Sequence, residues 1–296
     1  MPRLLVLGAN GQVARALVQQ GPKSGWEIVV RGRADIELRD PASIAAAISA
    51  TKPDALANAA AYTSVDKAES EEAEALFLNG EMPGMAAHAA AAANLPFVHL
   101  SSDYVFDGQD DKPYREADSA MPISVYGRTK RAGEIAAYKA GGRCVILRTS
   151  WVFAPWGNNF VRTMLRLAKT HERLRVVDDQ RGGPTSALAI ADAILVIAAR
   201  QLAGEHKAGL GVFHFQGRPP TTWARFADAI LDAAALLGHP RPPVERIATH
   251  EYPLPAPRPA WGVLDCSRIA REYDVTLPDW RKALPATVAQ LLKDGV

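Results

Sequence analysis

The segment Gly8-Ala9-Asn10-Gly11-Gln12-Val13-Ala14 limits the folds open to this chain more than any other stretch. It joins the apolar run Leu4–Leu7 to a helical pattern, where a strand must turn tightly into a helix. Two glycines there let the backbone turn and come close to a pyrophosphate, whose charge would rest on the helix N-terminus. Ala14 stands where the helix must pass close to the sheet. Further apolar runs follow at Glu27–Val30, Ala55–Asn58, Phe97–Leu100 and Val145–Arg148, with helical stretches between them. Such alternation implies right-handed crossovers and a parallel sheet covered on both faces.

The fold class read from this pattern is α/β, a Rossmann-type doubly wound parallel sheet with a smaller C-terminal substrate-binding domain. Residues 1–155 with about 186–215 are assigned to a dinucleotide-binding domain, and about 156–185 with 216–296 to a cap. A helix is predicted from Asn159 to about Lys169, a turn-rich loop at Asp179–Pro184, a second helix over Ala187–Leu202 and a strand over Gly211–Gln216. Beyond Pro219 the chain is rich in proline, at 240, 242, 243, 253, 255, 257 and 259. Trp261 and Trp280 give its flanks something to bury, so a stiff loop closing over a cleft fits better than a linker.

Bulk properties exclude several classes. A formal net charge of +2, without any run of Lys and Arg, leaves no nucleic-acid footprint. No apolar run reaches the roughly 18–20 residues that span a bilayer. Met1-Pro2-Arg3 leads directly into the first strand without a signal-peptide pattern. Cys144 and Cys266 make no disulfide framework, so a reducing cytoplasm is the expected setting. The seven histidines are scattered without ligand spacing, and no metal site is expected.

The chemistry-bearing residues cluster by position. Arg31, followed by Gly32-Arg33, ends the second strand, where an acidic residue would bind ribose hydroxyls and repel a 2′-phosphate. Arginine does the reverse, so NADPH is expected ahead of NADH. Glu37 and Leu38 are placed beside the adenine. In Tyr126-Gly127-Arg128-Thr129-Lys130, a spacing of four puts Tyr126 and Lys130 on one helix face, about 6 Å apart at Cβ. The ammonium, with the positive nicotinamide of oxidised cofactor, is expected to lower the phenol pKa, letting Tyr126 give a proton to a carbonyl oxygen. Ser102 follows the fourth strand at the carboxyl edge, where a hydroxyl can orient that oxygen.

The spacing G-x-x-G-x-x-A favours the extended short-chain dehydrogenases. Nearly end to end, the chain resembles the dTDP-4-dehydrorhamnose reductase family. The resemblance rests on Gly8–Val13, Asn58–Thr63 with Val65–Glu69, Ser102–Phe106, Val125–Lys130, Arg148–Phe153 and Gly157–Phe160. Asp179-Gln180, Gly183–Thr185, Pro257–Pro259 and Leu277–Trp280 also match. It implies reduction of a keto-deoxysugar carried on dTDP, with Tyr126 as proton donor, Lys130 on the nicotinamide ribose and Ser102 completing a triad. Cofactor contacts are implied for Gly8, Asn10, Gly11, Gln12, Val13, Ala61, Tyr62 and Thr63. Substrate contacts are implied for Asp103, Tyr104 and Trp151, and a diphosphate contact for Arg258.

Two departures matter. Serine replaces the family's usual threonine at position 102 and keeps the hydroxyl. Ala16 and Leu188 stand where some members carry glutamates that bridge a metal between subunits. Neither can ligate Mg²⁺, so a monomer or weak homodimer without bridging metal is expected. Two alternatives stay open. An epimerase or dehydratase shares the scaffold, although Tyr104 cannot be the second carboxylate of a 4,6-dehydratase. A regulatory NADP-binding subunit would retain the site without turnover.

Overall fold

Side chains alternate along the first strand, and that alternation decides how the chain layers. Leu4 and Val6 enter one core cluster, Leu5 and Leu7 another on the opposite face. The computed structural model describes residues 1–205 and 209–296. In chain order the first elements are β1 (Arg3–Leu7), α1 (Gln12–Gln20), β2 (Glu27–Arg31), α2 (Pro41–Thr51) and β3 (Ala55–Asn58). Then come α3 (Val65–Ala68), α4 (Glu72–Leu76), α5 (Met82–Ala92), β4 (Phe97–Ser102), α6 (Val125–Lys139) and β5 (Cys144–Thr149).

The second half runs β6 (Val152–Phe153), α7 (Phe160–Ala168), β7 (Leu174–Val177), β8 (Arg181–Gly182), β9 (Thr185–Ser186) and α8 (Ala187–Leu202). It continues with β10 (Gly211–His214), β11 (Thr221–Thr222), α9 (Trp223–Ala235), β12 (Val244–Ile247), α10 (Ser267–Tyr273) and α11 (Trp280–Lys293). The sequence expectations locate the five N-terminal strands to within two residues at either end. The strand predicted over Gly211–Gln216 ends at His214, because Phe215 leaves the register while still donating its N–H to the Arg148 carbonyl.

Six strands form one sheet in the order β10-β5-β4-β3-β1-β2, every pair parallel. One face is covered by α1 and α8, whose Ala14, Ala16, Ala191 and Ala198 allow close packing on Val6 and Val98. Ala16 is buried in that packing. The other face carries Ile44 and Ile48 of α2 and the alanines of α5. The chain reverses its winding between β1 and β3, so a crevice opens beyond their carboxyl ends.

A third core lies outside the sheet, where α7, α9 and α11 pack on β7 through Leu165, Phe226, Trp280 and Val288. Asn159 caps α7 by accepting from Arg162 N at 3.1 Å, and Thr222 caps α9 from Arg225 N at 3.3 Å. The segment from Leu264 to Val275 returns to the sheet, with Cys266, Ile269 and Tyr273 in its core. The proline-rich stretch is fixed rather than loose. Ala256 N donates to Asp66 at 3.2 Å, and the Trp261 indole donates to the Lys112 carbonyl at 2.8 Å.

His214 closes the sheet edge without any exposure. Its Nε2 accepts from Arg148 at 3.3 Å, since a guanidinium only donates, and Nδ1–H donates to the Tyr114 carbonyl at 3.1 Å. Burial, helped by the Arg148 charge, pushes this imidazole down to about 3. The unfolded chain takes up the proton below about pH 6.5 while the folded protein does not, so stability falls with pH across that window. We predict that His214→Gln shrinks the loss of unfolding free energy between about pH 7 and pH 5 by about 2 kcal/mol. Urea unfolding at the two pH values measures it; an unchanged difference would show that His214 is not buried neutral.

Candidate functional site

Three successive residues at the end of β4 are each held by α6. Lys130 Nζ donates to the Leu100 carbonyl at 2.7 Å, and the Ser101 hydroxyl donates to Glu134 at 2.7 Å. Ser102 lies beside the Tyr126 phenol and lines the same cleft. Ser124 starts the helix by accepting from Gly127 N at 3.1 Å. Gly127 has no alternative here, because a Cβ would lie 2.2 Å from the Tyr104 carbonyl oxygen. Tyr126, Lys130 and Ser102 therefore converge on one cleft of about 470 Å³, as their order along the sequence requires.

The cleft begins at the turn after β1. Asn10, Gly11, Gln12 and Val13 line it, facing Ala59, Ala61 and Thr63 from the loop after β3. Gly8 lies behind, at φ +100°, with its N–H donating to the Arg31 carbonyl at 2.8 Å. The N-terminus of α1 has no side-chain cap and no acidic residue in its first turn. Its free N–H groups and positive dipole end face the cleft, which suits a pyrophosphate. At Gly11 a Cβ would meet only the Ala59 carbonyl at 3.8 Å, so the missing side chain leaves room for something other than protein. The Thr149 hydroxyl is buried beside the cleft without a partner, a further polar group suited to a bound ligand.

Some expected residues sit differently. Tyr62 turns its phenol to Glu71 while its backbone pairs with Asn79 on both sides, so only Ala61 and Thr63 of that trio line the cleft. Leu38 packs into the core with Ile36, and Glu37 accepts from Arg39 N at 2.9 Å. Arg31 is half-buried at the turn, donating to the Val30 carbonyl at 3.1 Å. Arg258 makes a two-pronged ion pair with Asp66, both contacts at 2.8 Å.

A second cavity of about 500 Å³ adjoins the first, because Tyr104 and Trp223 line both. Phe160, Met164 and Leu167 of α7, Gln180, the Tyr252–Leu254 stretch and Arg258 complete its wall. Trp223 stacks on Trp151 with centroids 3.5 Å apart, and Trp151 adopts a left-handed backbone, φ +45°, to reach it. Trp223, Thr149, Gln180 and the Trp156–Asn159 loop were not assigned roles from sequence. The matching strings Arg148–Phe153, Gly157–Phe160 and Asp179-Gln180 point at three of them, and nothing in the sequence points at Trp223. In that loop Trp156 donates to the Gln12 carbonyl at 3.1 Å and Asn159 to the Gln12 side chain at 3.0 Å, clamping the start of α1.

Burial governs the titrating groups. It pushes the Tyr126 phenol up to about 12, with the Ser102 hydrogen bond acting against it. Burial outweighs the lowering expected from Lys130 and the oxidised nicotinamide. Burial brings Lys130 down to about 8, opposed by Glu134. It lifts Asp103 to about 7, opposed by the Ser102 hydroxyl, which donates to it at 3.0 Å. At neutral pH the phenol holds its proton. A group in that state can give it to an oxygen that is becoming an alkoxide. Among the described residues no cluster of three or more His, Cys, Asp or Glu can hold a metal, and no helix is long and apolar enough to cross a membrane.

Comparison with known proteins gives consistent results. Residues 2–293 match the model of the RmlD substrate binding domain family. A dTDP-4-dehydrorhamnose reductase of Sinorhizobium fredii is 43% identical over 293 residues, covering 99% of both chains. A crystal structure of a dTDP-4-dehydrorhamnose reductase from Clostridium acetobutylicum superimposes with a TM-score of 0.90 at 31% identity, over 98% of this chain and 99% of that one. A second, from Bacillus anthracis in complex with NADP, gives 0.88 at 27% identity, over 99% and 100%.

The two glycines of the first turn separate fold from ligand. Gly8→Ala, with its Cβ 2.9 Å from Ala60 N and φ positive, should cost about 1–3 kcal/mol of stability. Gly11→Ala should leave stability within about 0.5 kcal/mol yet weaken NADPH binding by about tenfold or more. Thermal unfolding and quenching of tryptophan fluorescence by NADPH read the pair. Undiminished affinity in Gly11→Ala would place the pyrophosphate elsewhere.

Proposed function

The chain belongs to the RmlD substrate binding domain family, and from that membership we propose that it reduces the 4-keto group of dTDP-4-dehydrorhamnose with NADPH, giving dTDP-L-rhamnose. The observation that carries this reading is the meeting of Tyr126, Ser102 and Lys130 in the first cleft, which adjoins the second at Tyr104 and Trp223. One cleft runs to the uncapped start of α1 and the other is walled by aromatic side chains. A dinucleotide and a nucleotide-linked sugar entering from opposite ends would meet at the phenol.

Bound NADPH supplies a hydride to the carbonyl carbon. The chain's own residues supply the rest. Ser102, buried beside Tyr126, orients the carbonyl oxygen by hydrogen bonding. Tyr126 Oη gives its proton to that oxygen, so the C=O gains one hydride and one proton and becomes CH–OH. Lys130, fixed on the Leu100 carbonyl, places positive charge beneath the phenol, which stabilises the phenolate left behind until solvent returns the proton. Gly8, Asn10, Gly11, Gln12 and Val13, with Ala61 and Thr63, are proposed to hold the cofactor. Arg31 is proposed to favour its 2′-phosphate, and NADH is the poorer donor.

Asp103, Tyr104 and Trp151 are proposed to contact the sugar. Arg258 is proposed to reach the diphosphate by exchanging Asp66 for it, since it already lines the second cavity. The division of labour follows. Residues 1–155 with about 186–215 are proposed as the cofactor domain, from which Asp103, Tyr104 and Trp151 reach the sugar, and about 156–185 with 216–296 as the substrate cap, apart from the Leu264–Val275 stretch that packs on the sheet. The proposed molecule is a monomer or weak homodimer working in the cytoplasm.

Tyr126→Phe should lower kcat by about 10²–10⁴-fold while leaving NADPH affinity near wild type. The decay of NADPH absorbance with dTDP-4-dehydrorhamnose measures the first and fluorescence titration the second. Tight NADPH binding by wild type, without consumption in the presence of the keto-sugar, would favour a regulatory binding subunit instead.

A further inference from the structure

A fully buried ion pair sits just behind the site and takes no part in the proposed reduction. Glu134 is 1% exposed and Arg148 2%. One Glu134 oxygen accepts from Arg148 Nε at 2.7 Å and from the Ser101 hydroxyl at 2.7 Å. The other accepts from Arg148 Nη2 and from Arg131, both at 2.8 Å. Against its own burial, the hydrogen bonds and charge of Arg148, with Ser101 and Arg131, hold this carboxyl below the usual carboxylate range. Arg148 continues to His214 at 3.3 Å and lies 5.0 Å over the Phe106 ring. Apolar residues of like volume in such a place often cost nothing in stability, so stability alone does not account for two desolvated charges here.

Position supplies the account. Tyr126, Lys130 and Glu134 stand at intervals of four on α6 and share one face. Lys130 is desolvated, and burial alone drives an ammonium towards its neutral form. The charged or titratable groups around it are Tyr126 and Glu134 on its own helix, His99 from β4, Arg148 from β5, and Asp103 from the turn after β4. Glu69 lies farther off, accepting from Val125 N at 2.9 Å at the start of α6. His99 accepts from Asn58 at 3.1 Å and is held neutral by burial and by the lysine's charge. Asp103 is itself lifted towards neutrality. Glu134 is left as the carboxylate that stays ionised one turn from the ammonium.

We propose that Glu134 is a positioning residue for the reduction: locked in place by Arg148 and Ser101, its carboxylate keeps the Lys130 ammonium charged beneath the reacting tyrosine. The proposal deepens the reductase reading and rests on it for its kinetic consequence. Its electrostatic core concerns Lys130 alone and is measured without substrate.

The experiment follows Lys130 in the full chain labelled with ¹³Cε-lysine, the resonance being assigned by its loss in Lys130→Arg. Glu134→Gln keeps shape and removes the charge. With it, the Lys130 titration midpoint should fall by about one pH unit or more. The alkaline limb of kcat/KM should move down with it, while activity at lower pH is largely retained. Glu134→Asp keeps the charge on a shorter stem; it should lower Tm yet leave the midpoint near wild type. An unmoved midpoint in Glu134→Gln, with only Tm reduced, would overturn the proposal and leave a purely structural ion pair. Should the Gln chain not fold, the wild-type midpoint decides, since a value below about 7 means that Lys130 is not kept charged. If wild type consumes no NADPH with the keto-sugar, the reductase reading fails while the lysine titration still tests the charge.

Discussion

The site depends on how closely α6 lies against the end of β4. A Cβ at Gly127 would fall 2.2 Å from the Tyr104 carbonyl, and one at Gly133 would fall 1.9 Å from that of Asn79. Only hydrogen fits at either place, so α6 lies against the turn after β4 and against the segment before α5 at distances that other residues forbid. That approach lets an ammonium, a carboxylate and a phenol from one helical face reach Leu100, Ser101 and Ser102 in turn. The tyrosine is consequently placed by the helix on which it sits rather than by a loop, which restricts its freedom before any ligand arrives.

Topology then supplies two approaches to that point. Reversal of winding between β1 and β3 opens the crevice under the first turn, and the crossover loops after β3 and β5 wall it. The second cavity is built by elements outside the sheet, which have their own core. The halves are joined by apolar packing, Trp151 on Trp223 and Phe153 on Phe226, and by long-range polar contacts. Asp66 meets Arg258 and Ala256, Gln12 meets Asn158 and Asn159, and Ser150 meets Gly183 and Gln216.

The sheet was legible in the sequence because each strand is a local apolar run, and α6 because Tyr126 and Lys130 declare its face at a spacing of four. What stayed hidden depends on contacts without local periodicity. Asp66 and Arg258 are 192 residues apart, and no pattern in either neighbourhood announces the pair. Leu38 closes the acidic stretch expected to border the adenine, yet Ile36 and Leu38 alternate inward and pack in the core with Ile44 and Ile48 of α2. Tyr62 was assigned from a matching string, but its phenol is drawn to Glu71. The two-residue strands β6, β8, β9 and β11 are too short to leave a period at all. The phenol shift was misjudged for a different reason. The expectation weighs the ammonium and the oxidised nicotinamide, whereas burial, a property of the whole fold, dominates the phenol here.

Charge is distributed by depth, and that distribution bears on how the proposed chemistry proceeds. At the floor, burial pushes Tyr126 up to about 12, Asp103 up to about 7 and Lys130 down to about 8, each towards its neutral form. Cations stand away from that floor, with Arg31 half-buried at the end of the second strand and Arg258 in the wall of the second cavity. Phosphates are the charged parts of both proposed ligands, and these two arginines are proposed to meet them. A keto group, uncharged until the hydride arrives, suits a floor of low polarity. There a single fixed ammonium acts at short range with little screening once the negative charge appears. Such a site favours the transition state over the ground state only while that ammonium remains charged, and this is why a buried carboxylate behind it is more than a strut.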